Sequence, residues 1–217
     1  MPIERSTYKD HAIKYIYDGM RENRFRPGEK ILESHLALEL GISRAPIREA
    51  LADLVRSGLL EYRPQVGNFV ADLSPEEIID SYVARGVLEG YAVAQGIDNF
   101  SDEDFRRLEQ MAETMETYAR AGKRKALIDI GQSFHEELFS HCTNDQVVLF
   151  TRQLSLKLHL LFYKHWAKVY SPEEIRDRHL AIIDVLRKQD PVKVEMLIRE
   201  HYIDTGRKVV ERESRED

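Results

Sequence analysis

The stretch GISRAPIREAL, Gly41–Leu51, carries the features that decide the fold of the first third of the chain. Ser43 is placed to cap a helix, with its hydroxyl accepting a hydrogen bond from a backbone N–H. Pro46 falls in the first turn of that helix, where a missing N–H does little harm. The stretch therefore predicts a helix that exposes two cations near its N-terminus, Arg44 and Arg48, which are four residues apart. The inward face consists of Ile47, Ala50, Leu51, Leu54 and Val55.

Two helical patterns precede this helix, and a change of period follows it. Residues 7–21 carry apolar side chains at helical spacing, and residues 34–40 form a shorter helix that Gly41 ends. Beyond the third helix, the pattern predicts two short strands around a turn at residues 64–67. Helices joined by a tight glycine-containing connection and followed by a hairpin make a winged helix-turn-helix. We expect this domain to occupy residues 1–73.

The pattern is helical from residue 74 to residue 217. The segment SPEE at 74–77 provides a Ser N-cap, a Pro at the first helical position and acids in the first turn, and it recurs at 171–174. An apolar stripe of the kind that faces a core consists of Ile79, Val83, Val87, Tyr91 and Ala94. The six predicted helices are about 75–97, 102–120, 123–142, 145–164, 172–188 and 191–213. The predicted fold class is mainly α, with an N-terminal winged helix-turn-helix and a C-terminal all-α six-helix bundle.

Composition indicates a soluble globular protein. Hydrophobic residues make up 42% of the 217 residues and charged residues 32%. No apolar run approaches the roughly 20 residues that a membrane helix needs, so we expect no membrane partner. The single cysteine, Cys142, excludes an intramolecular disulfide framework and fits the reducing cytoplasm. The net charge of −6 neither supports nor excludes binding to nucleic acid, because phosphate binding needs local cations rather than a chain that is basic overall.

The two exposed arginines are placed for contact with DNA. In helix-turn-helix proteins, residues at the N-terminus of the recognition helix contact base edges, and arginine can pair with guanine or with phosphate. The alternative is that Arg44 and Arg48 solvate the helix and pair with Glu49 or Asp53. The cap, the preceding helix and the hairpin all agree with the first interpretation, so we expect DNA contact.

The sequence from Pro27 to Val70, PGEKILESHLALELGISRAPIREALADLVRSGLL followed later by VGNFV, resembles the DNA-binding half of the GntR family of bacterial repressors. The resemblance implies that Ser43, Arg44 and Arg48 contact operator DNA. It also implies that the wing tip near Gly67 approaches the DNA backbone or the minor groove. The chain has a valine where the family usually has a basic residue before that glycine.

The second half resembles FCD, the all-helical effector domain of the FadR subfamily. YVARGVLEG matches its Arg-x-x-Leu-Glu pattern at Arg85 and Glu89, and TNDQ matches its asparagine at Asn144. The segments SFHEEL, RHLAIIDVL and REHYI match its histidine motifs. The six helices suggest the shorter, VanR-like group. The resemblance implies a homodimeric, ligand-responsive transcription regulator, with Asn144 at the effector site.

Three histidines fall on three predicted helices, each on a face that also carries apolar residues: His135, His179 and His201. Inward imidazoles need partners, which are either hydrogen bonds within a core or a shared metal. The resemblance implies that these three are metal ligands, together with an aspartate four residues before the first histidine. That position holds Gly131 here. Asp129, six residues before His135, could take the place of that aspartate only through an irregular turn, which Gly131 could permit. Otherwise we expect a divalent metal such as zinc or nickel on three histidines, with water or an effector oxygen completing the shell.

Arg85 is either the anchor of an effector carboxylate or the ion-pair partner of Glu89, one helical turn away. We interpret the chain as a DNA-binding transcriptional regulator, a repressor, whose operator binding is controlled by a small organic acid in the helical domain, with metal assistance. We do not expect an enzyme. The alternative is a metal-dependent hydrolase with an accessory winged helix, since three histidines resemble an open zinc site. Against it, the sequence contains no HExxH motif.

Overall fold

The structure, a computed structural model, describes residues 7–213 apart from the side chains of Leu156, residues 164–168 and Glu213. Within this range the chain divides after Ser74 into two compact units. The fold is mainly α, which confirms the predicted class. Among the residues described, no helix combines the length and the hydrophobicity that crossing a membrane would require.

The first unit is a three-helix domain with a small sheet. Its helices α1, α2 and α3 span Tyr8–Arg21, Glu33–Leu40 and Arg44–Arg56. Its strands β1, β2 and β3 span Lys30–Ile31, Leu60–Arg63 and Gly67–Val70. The sheet is antiparallel in the order β1-β3-β2, so the predicted hairpin is present and β1 adds an edge strand. Two residues are too few to show an alternating pattern, which is why the sequence did not predict β1.

Helix α3 begins at the predicted residue but without the predicted cap. Ser43 occupies the N-cap position, yet its side chain makes no capping hydrogen bond. An N-cap hydroxyl accepts from the N–H of the second or third helical residue. The third residue of α3, Pro46, has no N–H to donate, and the N–H of the second residue, Ala45, makes no bond to Ser43 either, so the predicted capping role of Ser43 is wrong. Gly41 ends α2 in the left-handed conformation with φ 65°, as expected.

The second unit is a bundle of the six expected helices. Helices α4 to α9 span Pro75–Gly96, Asp102–Arg120, Arg124–Leu138, Asp145–Val169, Pro172–Arg187 and Pro191–Glu213. The second SPEE segment starts α8 as predicted, because Ser171 and Glu174 form a reciprocal capping box. Ser101 and Asp104 form the same box at the start of α5.

Helices α4 and α9 pack antiparallel at close range. A Cβ added to Gly90 would lie 2.8 Å from the carbonyl oxygen of Glu195, and one added to Gly86 would lie 3.0 Å from the Cα of Arg199. Residue numbers therefore fall along α9 as they rise along α4. The glycines allow two backbones to approach more closely than any side chain would permit. This seam fixes α4 against the rest of the bundle.

The apolar stripe predicted on α4 does not face the core. Val87 and Tyr91, at the centre of the stripe, are 42% and 40% exposed. The buried face of α4 instead includes an ion pair, Arg85 and Glu89, which are 1% and 0% exposed. Hydrophobic periodicity misassigned the face because two glycines and two mutually neutralising charges supply much of its inner surface.

Candidate metal centre and DNA-contacting helix

The three predicted histidines meet in the second unit. His135 on α6, His179 on α8 and His201 on α9 each offer a ring nitrogen, and these nitrogens lie within 4.8 Å of one another. The ring centroids are 5.1–5.6 Å apart. His135 and His179 are 7% and 8% exposed. Zinc binds imidazole nitrogens at about 2.0–2.1 Å, so three ring nitrogens this close together could act as ligands of one shared ion.

Hydrogen bonds outside the cluster fix the tautomers of two of these rings. His135 Nδ1 lies 2.6 Å from the carboxylate oxygen Oε1 of Glu89, and His179 Nδ1 lies 2.6 Å from the carbonyl oxygen of Ile175. Both oxygens act as acceptors, so both Nδ1 atoms donate. When the ring is neutral, this assignment leaves the lone pair of Nε2 for the centre of the cluster. Metal-binding histidines are held in this way by second partners.

Burial favours the neutral form of two of the rings, those of His179 and His201. It lowers the pKa of His179 to about 3, with a further contribution from His135. Burial likewise lowers the pKa of His201 well below its ordinary value, assisted by His179 and Arg178. A neutral imidazole is the form that binds a metal. The donor set therefore fits zinc or nickel, which the sequence led us to expect.

A buried ion pair adjoins the cluster. Although burial acts to raise the pKa of Glu89, the neighbouring His135 and Arg85 hold it at about 2, so the group is a carboxylate. Its second oxygen, Oε2, lies 2.5 Å from Arg85 Nη2 and accepts from the Tyr202 hydroxyl at 3.0 Å. The hydroxyl in turn accepts from Arg85 Nε at 3.2 Å. The remaining nitrogen, Arg85 Nη1, donates to the Thr151 carbonyl and to the Ser155 hydroxyl.

A cavity opens beside the histidines. It contains about 90 Å³ that the centre of a water molecule can reach, which is room for several waters or a small organic acid. Its polar lining includes the three histidines, Arg85, Arg178 and Gln132, and its apolar lining includes Met115, Leu127, Ile128, Leu158 and Phe162. Gly131 lies one turn before His135, and a Cβ added to it would meet nothing within 4 Å. The missing side chain thus leaves space at the position where the family's aspartate was expected.

The structure separates the two residues predicted to bind an effector. Arg85 lines the cavity, but each of its three guanidinium nitrogens is engaged within the protein. This geometry favours the ion-pair alternative over an effector anchor. Asn144 is exposed and caps α7, with Oδ1 accepting from the N–H of Val147 at 3.2 Å. It is not among the residues that line the cavity, so its position indicates a role in starting the helix.

The predicted DNA contacts lie on the exposed side of α3. Arg44 is exposed, and within the described part of the chain no ion pair involves it. Arg48 is 64% exposed and pairs through Nε with Oε2 of Glu33 on α2, at 2.8 Å. The alternative partner Asp53 instead pairs with Lys9, at 3.1 Å, and with Arg56. Both cations therefore remain accessible at the N-terminal end of α3.

The wing carries a cation that the sequence did not predict. Gly67 has a φ of 121°, a conformation that favours glycine, at the start of β3. A Cβ added there would lie 3.4 Å from the side-chain carbon Cε of Lys30 on β1. An exposed lysine thus stands beside the wing glycine, although Val66 replaces the usual basic residue. Pairing of β1 with β3 causes this proximity, and the short β1 gave no signal in the sequence.

Two family models match the chain. The FCD domain matches residues 80–204, and the model described as bacterial regulatory proteins, gntR family, matches residues 9–70. The chain is 28% identical over 190 residues to YdhC, an uncharacterized HTH-type transcriptional regulator of Bacillus subtilis (strain 168), covering 87% of this chain and 83% of that protein.

A second relative and a solved structure agree with these matches. A protein of Paenarthrobacter nicotinovorans named as a probable D-xylose utilization operon transcriptional repressor is 24% identical over 92% of this chain and 87% of its own length. The structure of E. coli McbR/YncC has the same fold, with a TM-score of 0.72 at 19% identity over 92% of this chain and 96% of that one. The chain belongs to the GntR family of bacterial regulatory proteins and carries an FCD domain as its second half.

Proposed function

We propose that this transcriptional regulator is a repressor whose binding to operator DNA is controlled by a small organic acid in the cavity of the FCD domain, with a divalent metal as part of the effector site. The observation that carries the proposal is the convergence of three imidazoles, two of them buried and one partly buried, on one cavity. The repressor assignment draws on the relative from Paenarthrobacter nicotinovorans, which is named as a repressor.

His135, His179 and His201 would hold the metal. A bound zinc or nickel ion supplies a Lewis acid that binds an anionic oxygen ligand. Three protein ligands leave a further coordination position open, as in catalytic zinc sites. The space beside Gly131 is where a carboxylate of the effector fits, because no side chain fills it. Glu89, the carboxylate that accepts a hydrogen bond from His135, also pairs with Arg85 and accepts a hydrogen bond from Tyr202. These interactions do not suit Glu89 to act as the base of a hydrolase.

The size and the lining of the cavity indicate the class of effector. The accessible space suits a compact organic acid, and the apolar residues on α6 and α7 suit a short carbon skeleton. Such a ligand regulates DNA binding only if it binds the DNA-competent and DNA-incompetent arrangements with different affinity.

The DNA partner and the homodimer are parts of the same proposal. Arg44 and Arg48 would contact the major groove, and dimeric helix-turn-helix proteins bind two half-sites related by symmetry. The exposed apolar stripe on α4, with Val87 and Tyr91, offers a surface that a second copy would cover. Two apolar side chains of α9, the helix that packs against α4, are exposed as well: Val192 and Met196.

The metal content of the purified chain tests the effector site. Protein prepared without chelator and dialysed against zinc or nickel should retain about one ion per chain by elemental mass spectrometry. His179→Ala should lose most of this metal, whereas His11→Ala, which removes an exposed histidine of the first unit, should not. Equal metal in the wild type and in His179→Ala would overturn the proposed site.

A further inference from the structure

Glu89 is the residue that joins the histidine cluster to the buried ion pair. It is 0% exposed, and it uses both oxygens. Oε1 accepts a hydrogen bond from His135 Nδ1 at 2.6 Å. Oε2 forms an ion pair with Arg85 Nη2 at 2.5 Å and accepts a hydrogen bond from the Tyr202 hydroxyl at 3.0 Å. One carboxylate on α4 therefore contacts side chains from both α6 and α9.

We propose that Glu89 is the positioning residue of the metal centre: it selects the tautomer of His135 that presents Nε2 to the metal, and so sets the affinity for the ion. The inference rests on the proposed function, because it presupposes the three-histidine site. A carboxylate behind a ligating imidazole orients the ring and raises its basicity. Glu89 is not itself a ligand, since both of its oxygens are occupied away from the centre of the cluster.

The chemistry of an amide at this position explains why a carboxylate is needed. In Glu89→Gln, the single remaining oxygen would have to serve either His135 or the donors Arg85 and Tyr202. Arg85 carries a permanent charge and donates only, so the oxygen would turn toward it. The NH₂ group would then face His135 Nδ1, which must become an acceptor. The proton of a neutral ring would move to Nε2, and an Nε2–H cannot bind a metal.

The Arg85 side chain extends the same arrangement to α7. Its Nη1 donates to the Thr151 carbonyl and to the Ser155 hydroxyl, both on α7. Arg85 is 1% exposed, so its charge needs the Glu89 carboxylate as a counter-ion. The pair thus ties the position of His135 to three further helices, α4, α7 and α9. Stability and metal affinity must be measured separately for this reason.

The matched variants are Glu89→Gln and Tyr202→Phe. Tyr202→Phe removes a donor to Oε2 and an acceptor for Arg85 Nε, but it leaves the bond from Oε1 to His135 intact. Both variants disturb the buried network, so both should lower the denaturation midpoint. Only Glu89→Gln should weaken zinc binding, by roughly 10- to 100-fold in competition with a chromogenic chelator. The ¹⁵N chemical shifts of the imidazole should also show that the proton of neutral His135 has moved from Nδ1 to Nε2 in metal-free Glu89→Gln.

The outcomes separate the inference from the proposed function. If the wild-type chain binds no zinc, the proposed metal site itself is refuted. Wild-type chain that binds zinc, with Glu89→Gln folded and equal in affinity, overturns the positioning role alone. An equal loss of zinc affinity in Tyr202→Phe overturns the positioning role too, because a general disturbance of the buried network would then explain the loss in both variants. If Glu89→Gln does not fold, Glu89→Asp carries the test: it keeps the charge beside Arg85, but its shorter side chain withdraws from His135 and should weaken zinc binding.

Discussion

Arg44 and Arg48 lie one helical turn apart on α3 but differ in what holds them. Arg48 is paired with Glu33 at 2.8 Å, whereas Arg44 is exposed without an ion pair among the described residues. A paired guanidinium must exchange a partner to bind DNA, and an unpaired one need not. Arg44 is therefore the residue whose removal tests base or phosphate contact with the least disturbance of the protein.

Arg44→Ala should weaken binding to a duplex selected in vitro by roughly 5- to 150-fold if it contacts a base. Fluorescence anisotropy at fixed salt measures the effect. Arg106→Ala, which removes an exposed arginine of the second unit paired with Glu103, is the control and should bind as the wild type does. Equal affinity of Arg44→Ala and the wild type would remove this residue from the interface.

Asp104 shows how a single carboxylate links stability to pH. Hydrogen bonds from the side chain and backbone of Ser101 lower the pKa of Asp104 from 3.8 to about 2, despite the opposing effect of burial. Because the pKa is depressed in the folded state, the stabilisation is fully present above about pH 4 and is lost as pH falls toward 2. Asp104→Asn should lower the free energy of unfolding at pH 7 by about 1–2 kcal/mol.

Urea denaturation from pH 7 to pH 3 checks this expectation. The difference between wild type and Asp104→Asn should be constant near neutrality and narrow below about pH 4. Asp102→Asn, at an exposed position in the same first turn, should have a smaller effect. A difference that grows on acidification would contradict the assigned pKa direction.

At the scale of elements, replacing each of two helical glycines by alanine should change the free energy of unfolding in opposite directions. Gly90→Ala would place a Cβ 2.8 Å from the Glu195 carbonyl oxygen in the α4–α9 seam, and should cost about 1–3 kcal/mol through overpacking. Gly131→Ala meets nothing within 4 Å and should add about 0.5–1 kcal/mol, because alanine favours a helix. Chemical denaturation of the two variants compares them directly. The seam assignment fails if both variants are equally stable.

The elements also show what the sequence could and could not predict. Helix starts followed from local chemistry, as at Ser171, because a capping box lies within four residues. The inner face of α4 could not be predicted from local chemistry, because Arg85 and Glu89 are buried through bonds to partners on other helices. The histidines of the candidate centre could be predicted from inward faces and from the family resemblance. The link from Glu89 to His135 joins residues 46 positions apart and needed the structure.

For the whole molecule, the exposed stripe on α4 predicts assembly. Val87→Glu would place a charge where the proposed homodimer buries an apolar side chain, and unpaired buried charges are costly. The dimer dissociation constant from sedimentation equilibrium should rise roughly tenfold or more. Leu38→Glu is the control, because Leu38 is 82% exposed on α2 of the first unit. An unchanged constant in Val87→Glu would place the interface elsewhere.

The central claim, that the cavity in the FCD domain controls the DNA-binding domain, is tested most directly by DNA affinity in the presence of ligands. The zinc-loaded chain is titrated with a selected duplex in buffer alone, then with acetate, lactate, malonate or citrate. At least one carboxylate should change the dissociation constant by about 5- to 150-fold, and His179→Ala should abolish that change without altering affinity in buffer alone. The claim is contradicted if carboxylates that bind the protein leave DNA affinity unchanged, or if His179→Ala responds as the wild type does.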